Sequence, residues 1–160
     1  MKDVIFSILI CIVFCAPNVA QNDLTVYESF DEFEHLLHSE DDKIHVINFW
    51  ATWCKPCIEE LPYFEELNAS DNNIEVILVS LDFKNQIESK LKPFLERQKL
   101  LSEVVVLTDT KYNDWLDKVN RDWSGAIPAT FIYQGAASAF KEEDFKSTEE
   151  IELIINSIKI

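Results

Sequence analysis

The sequence predicts an α/β domain with a mixed central sheet. Ile44–Trp50 (IHVINFW), Ile74–Leu81 (IEVILVSL) and Glu103–Leu107 (EVVVL) are nearly continuous apolar runs, as strands covered on both faces are. Segments with helical apolar spacing alternate with them. A hairpin pattern and a last helix close the chain, which makes the sheet mixed.

Leu24–Tyr27 is a short strand candidate. Ser29 opens a helix, with Glu32 three residues on as the second half of a capping box. Phe30, Phe33 and Leu37 share one face of it. After Ile44–Trp50 a helix starts near Pro56, and Pro62 is expected to kink it. Asn85–Leu100 carries Ile87, Leu91, Phe94 and Leu95 on one side, and Pro93 should kink or divide that helix. Tyr112, Trp115, Leu116 and Val119 mark a short amphipathic helix. Ala129–Tyr133 and Ala137–Phe140 read as a hairpin turning near Gln134-Gly135. Ser147 caps the final helix, again with a glutamate, Glu150, three residues on. Ile151, Ile154, Ile155 and Ile158 form its buried stripe.

The chain has 160 residues, 48% of them hydrophobic and 27% charged, which suits one compact domain with a real core. A net charge of −15 argues against nucleic acid or an anionic membrane surface as partner. Only two glycines occur, Gly125 and Gly135, which excludes a glycine-rich phosphate loop or dinucleotide fingerprint.

Residues 1–20 read as a cleaved signal peptide, leaving 21–160 as the folded domain. Lys2 precedes an apolar stretch from Val4 to Ala16, and Asn18-Val19-Ala20 resembles a small-residue cleavage site. The stretch is shorter than the ~20 residues that span a bilayer. Retention of this segment as an anchor, or acylation of Cys15, is the alternative. Cleavage would remove Cys11 and Cys15 and leave Cys54 and Cys57 as the only cysteines. A bridge between these two closes so short a loop that it constrains the unfolded chain little. The pair therefore points to reactivity.

Cys54-Lys55-Pro56-Cys57 follows a buried strand and opens a helix. Unpaired N–H groups and the positive dipole end favour a thiolate there. Cys54 is expected to be partly exposed, with Lys55 adding positive charge and Cys57 facing inward one turn later. Pro56 suits a first helical turn. In this reading Cys54 exchanges with a substrate disulfide and Cys57 resolves the mixed disulfide. A zinc clip would need about four ligands. Beyond this cysteine pair, the histidines His35, His38 and His45 are scattered over a helix and a strand, so no metal is assigned.

These residues resemble the thioredoxin superfamily, and within it the exported branch of TlpA- and ResA-like disulfide reductases. The likeness lies in NFWATWCKPC (Asn48–Cys57), the CIEELP continuation (Cys57–Pro62) and GAIPATFIY (Gly125–Tyr133). It covers roughly Leu24 to the C-terminus. It implies a thioredoxin-like fold, with the helix and strand between Asn85 and Leu107 as that branch's extra α-β insert. It implies a cis peptide at Ile127-Pro128 beside the cysteines, whose backbone can pair with an extended substrate segment. It implies that Glu60 moves protons to or from the thiols, with a pKa raised by burial. Asn48 stands where minimal thioredoxins place a proton-accepting aspartate. An asparagine can hydrogen-bond but not take the proton, which makes Glu60 more necessary. Trp53 flanks Cys54 on the docking face, while Trp50 is packing.

The expectation is an exported, periplasmic thiol-disulfide oxidoreductase acting on protein disulfides in the reductase direction. It is monomeric, fed by a membrane-bound electron donor, and without a cofactor beyond its own disulfide. The alternatives are a disulfide oxidant or isomerase, and a non-catalytic module of the copper-delivery type.

Overall fold

In the computed structural model, which describes residues 24–159, the apolar runs are strands over nearly the expected lengths. The leader, its cleavage position, Cys11 and Cys15 lie outside the described residues. The strands are β1 (Thr25–Tyr27), β2 (Ile44–Trp50), β3 (Ile74–Ser80), β4 (Glu103–Leu107), β5 (Ala129–Gln134) and β6 (Ala137–Lys141). The helices are α1 (Phe30–Phe33), α2 (Lys55–Ser70), α3 (Lys92–Gln98), α4 (Tyr112–Val119) and α5 (Thr148–Ile158). Among the described residues no helix is long and apolar enough to cross a membrane.

The strands form one six-stranded sheet in the order β1-β4-β3-β2-β5-β6. The first four are parallel, β5 is antiparallel to β2, and β6 is antiparallel to β5. β4 lies between β1 and β3, so the expected extra helix–strand unit enters the sheet itself. Helices cover both faces, which is why the interior strands are apolar on both sides. On one face Val46, Trp50, Leu61, Phe64, Leu91, Ile151 and Ile155 pack together. On the other, Phe30, Phe33, Ile47, Phe49, Trp115 and Trp123 do so. Phe30 stacks on Trp115 with ring centroids 5.3 Å apart. Every residue of β2 is buried, including His45 and Asn48.

The helix starts depart from expectation in one consistent way. Ser29 and Ser147 occupy the cap positions, but neither side chain makes a cap hydrogen bond. Instead the preceding residue donates its N–H to the glutamate: Glu28 to Glu32 at 3.0 Å and Lys146 to Glu150 at 3.0 Å. For α1 the missing cap is supplied from across the fold. Asp109 accepts from the Phe30 N–H at 3.0 Å and from the Lys111 N–H at 2.9 Å. A side chain 79 residues away has outcompeted the local serine.

The helix expected over Asn85–Leu100, to be kinked or divided by Pro93, is divided. A 3-10 turn at Lys84–Gln86 and a wide π turn at Ile87–Leu91 precede α3. Pro93 thereby falls in the first turn of α3, where its missing N–H costs little and the wider turn makes room for its ring. Lys99 ends α3 in the left-handed region, φ 54, donating to the Leu95 carbonyl. The α2 helix runs on through Pro62. The hairpin turns at Gly135-Ala136, within the expected segment, with Gly135 (φ 56) in the first turn position.

Removing the Asp109 carboxylate should therefore cost more than removing the serine hydroxyl. Asp109→Ala is expected to destabilise the fold by about 1–2 kcal/mol and Ser29→Ala by less than about 0.5 kcal/mol. Urea unfolding of both variants checks this, and equal losses would show that the capping has been misassigned.

Candidate active site

The site forms where β2 hands the chain to α2. After Trp50 the backbone turns, with the Cys54 N–H donating to the Ala51 carbonyl at 3.0 Å. Cys54 is the cap residue of α2, in extended conformation, and its sulfur accepts the Cys57 N–H at 3.3 Å. A sulfur here does the job of a serine or aspartate cap oxygen. The two sulfurs are joined as a disulfide, with Cα atoms 5.3 Å apart. Pro56 sits in the first turn, as expected.

Cys57 is fully buried and faces inward, as predicted. Cys54 was expected to be partly exposed, yet it is only 6% exposed. Its bond to Cys57 draws it into the core cluster, and the Ile127 carbonyl lies 3.7 Å from its sulfur. In the disulfide that sulfur carries no proton, so this is a contact; in the dithiol it becomes a site for a hydrogen bond. The Ile127-Pro128 peptide is cis. Trp53, at 54% exposure, is solvent-facing beside Cys54, and Trp50 is packed against Phe94. Lys55 does not point at the sulfurs' surroundings as a free charge: its exposed ammonium pairs with Glu59 at 3.5 Å.

Glu60 lies three residues beyond Cys57 on the inner face of α2 and is 1% exposed. One carboxylate oxygen accepts from Asn48 Nδ2 at 2.8 Å and the other from the Phe145 N–H at 2.8 Å. Burial pushes its pKa up to about 7, although both hydrogen bonds favour the ionised form. Asp144 adds a push upward and Lys141 one downward. Asn48 also donates to Thr130 Oγ1 at 3.0 Å. Asn48 is thus the partner that holds Glu60.

Two more carboxylates fix the loops on either side of the sulfurs. Asp82, fully buried two residues beyond β3, accepts from the Thr52 N–H (2.9 Å), the Thr52 hydroxyl (2.5 Å) and the Ser80 hydroxyl (2.9 Å). Glu142 accepts from the Ser124 N–H at 3.1 Å, the Ser124 hydroxyl and the Ala126 N–H at 2.9 Å. The first holds the approach to Cys54 and the second the approach to Ile127.

Sequence reasoning missed Thr130, the Phe145 N–H, Asp82 and Glu142. Thr130 is the register partner of Asn48 across β2 and β5, which no local pattern reveals. Asp82 had a readable signal, an acid placed directly after a buried strand. The Phe145 N–H and Glu142 had none.

Residues 15–137 match the AhpC/TSA family. The thiol-disulfide oxidoreductase ResA of Oceanobacillus iheyensis is 39% identical over 59 residues, covering 36% of this chain and 31% of that protein. The protein of the same name from Geobacillus kaustophilus is 30% identical over 120 residues, covering 73% of this chain and 60% of that protein. The chain therefore spans less than two thirds of these relatives' length. The crystal structure of a thioredoxin-related protein from Neisseria meningitidis serogroup B superposes with a TM-score of 0.61 at 16% identity, covering 75% of this chain and 87% of that one. That likeness is one of fold, and the fold is thioredoxin-like.

The raised pKa of Glu60 makes stability pH-dependent. Between the ordinary glutamate value, 4.5, and about 7 the folded chain holds a proton that the unfolded chain has released. Stability must then fall as pH rises through that window, by an amount on the order of 3 kcal/mol in total, and level off above it. Glu60→Gln is expected to flatten this slope. Urea titrations of both proteins at pH 5 and pH 8 measure it; parallel slopes would mean Glu60 is ionised throughout.

Proposed function

The chain belongs to the AhpC/TSA family of the thioredoxin superfamily, and from that premise we propose that it is a thiol-disulfide oxidoreductase of protein substrates. The observation that carries this is the Cys54–Cys57 disulfide at the N-terminus of α2, faced by the Ile127 carbonyl. No other group is needed, because the sulfur pair itself takes up and releases two electrons.

In the reductive direction the Cys54 thiolate attacks one sulfur of a substrate disulfide. A Cys54–substrate bond forms, the substrate S–S bond breaks, and the departing sulfur takes a proton. The Cys57 thiol gives its proton to the Glu60 carboxylate and attacks Cys54. The mixed disulfide breaks, the second substrate sulfur leaves and is protonated, and Cys54–Cys57 is again a disulfide. The N–H groups of the first turn of α2 and its dipole stabilise the Cys54 thiolate. A carboxyl near pH 7 can both accept and return a proton. The backbone at Ile127 offers an extended substrate segment a strand-like edge, and exposed Trp53 gives it an apolar surface.

The leader-like residues 1–20 support work outside the cytoplasm; the proposed compartment is the periplasm and the proposed state a monomer. There the disulfide must be re-reduced by a membrane-bound electron donor. Reduction is the favoured direction, with oxidation or isomerisation as the runner-up.

Cys54→Ser is expected to abolish reduction of a protein disulfide such as insulin. Cys57→Ser should accumulate mixed disulfides on Cys54, seen as reductant-sensitive adducts by mass spectrometry. The absence of adducts on an accessible Cys54 thiol would count against catalysis. A measured potential near that of strong oxidants, ~−120 mV, would reverse the direction.

A further inference from the structure

Two histidines that lie apart in the sequence meet in the fold. His45 on β2 and His35, in the 3-10 turn after α1, line one cavity of about 170 Å³. Glu75 on β3, Glu103 on β4 and Tyr133 on β5 complete its wall. Strand register brings them together. His45 is level with Glu75 and with Tyr133, and Glu103 is level with Ile77, two residues beyond Glu75 on the same face. The cavity lies at the opposite end of β2 from Cys54, so the disulfide chemistry does not use it.

The side chain of His45 is only 4% exposed, and its two ring nitrogens are placed differently. Nε2 lies 2.8 Å from Asp41 Oδ1, a hydrogen bond that puts the ring's N–H on that nitrogen, because a carboxylate only accepts. Tyr133 stacks on the ring with centroids 4.7 Å apart and fixes its plane. In the neutral ring Nδ1 then carries a lone pair. Glu75 Oε2 stands 3.4 Å from it, longer than the ~2.7–3.2 Å of an N–H···O bond. Two acceptors face each other across a gap. A shared proton would draw them to hydrogen-bond distance, whereas two ligands of a tetrahedral metal ion, each ~2.0–2.2 Å from it, stand about 3.3 Å apart. We propose that His45 Nδ1 and Glu75 bind a divalent cation of the zinc class, with Asp41 holding the imidazole from its other nitrogen. Ligand atoms of Asp41, His45 and Glu75 lie within 4.8 Å of one another. A nitrogen donor beside carboxylates suits zinc better than calcium or magnesium, and a carboxylate on the far nitrogen is the usual support of a metal-bound histidine. His35 and Glu103 add donors to the cavity wall, and water completes the coordination. Lys43 is the competing cation, 3.8 Å from the same Glu75 oxygen, but the pair is solvent-exposed and such pairs contribute little. The bound ion joins β2 to β3 where both strands begin.

The test uses Zn2+ and the full chain, with Cys54–Cys57 oxidised and Cys11 and Cys15 alkylated so that no thiol competes. Calorimetric titration at pH 7.5 is expected to show one ion bound per chain. In the 15N-labelled protein the His45 Nδ1 signal should move on addition of Zn2+, while Nε2 keeps its proton. Glu75→Gln should weaken binding at least about tenfold, and Asp41→Asn by about tenfold. Lys43→Gln should strengthen it. These three side chains are all more than a third exposed or close to it, so the variants test the site without removing buried His45. The absence of saturable binding would overturn the proposal, as would binding unchanged in Glu75→Gln. So would a Zn2+ response confined to Nε2, or a ring protonated on both nitrogens at pH 7.5 that ignores the ion. Disulfide exchange should be the same in Glu75→Gln as in the parent protein. Loss of exchange with zinc binding intact would overturn only the proposed function.

Discussion

The complete burial of β2 is the constraint on which the rest depends. With helices on one side and the α1–α4 aromatic cluster on the other, all seven of its residues are buried. Any polar side chain on it must find partners inside the fold. Asn48 finds Glu60 on α2 and Thr130 on β5, so one polar residue ties three elements together at the level of the sulfurs. The same burial fixes where the strand ends, and the chain leaving it delivers Cys54 to the start of a helix. Position and chemistry of the site follow from one covered strand.

A second theme is the use of acidic side chains to hold loops. With two glycines in 160 residues, the chain seldom turns by glycine. Asp82, Asp109 and Glu142 accept backbone N–H groups of loops distant in sequence. Glu65 does the same for Leu101 and Ser102, beyond the end of α3. Part of the net charge of −15 is therefore structural. An acid that accepts two or three hydrogen bonds fixes a loop more firmly than a permissive backbone would, because it removes conformations instead of allowing them. Asp82 and Glu142 do so on the two sides of the disulfide, which keeps the sulfur and the Ile127 carbonyl in a set relation.

Glu60 shows how environment changes a residue's use. It neighbours Glu59, which is exposed and pairs with Lys55. One position further along the helix, the same side chain is buried and its proton affinity rises toward neutrality. Three residues' spacing from Cys57 puts it on the inward face, and that face alone decides the difference.

The sequence by itself determined the sheet, the helices and the cysteine pair. Ile44–Trp50 and Glu103–Leu107 are strands with the limits expected, because continuous apolar runs leave few alternatives. Cys54 and Cys57 stand out because their spacing, at a strand-to-helix junction, is a local feature. Glu60 and the Ile127-Pro128 segment were legible only through likeness to a family. What the tertiary structure decided was partnership. Asp109 in place of Ser29 as the α1 cap, the burial of Cys54, and the placing of Thr130 and the Phe145 N–H around Asn48 and Glu60 all depend on strand register and helix packing. A hydrogen bond between residues 82 or 85 positions apart has no counterpart in local periodicity, and it exists only once the sheet has set which residues lie side by side.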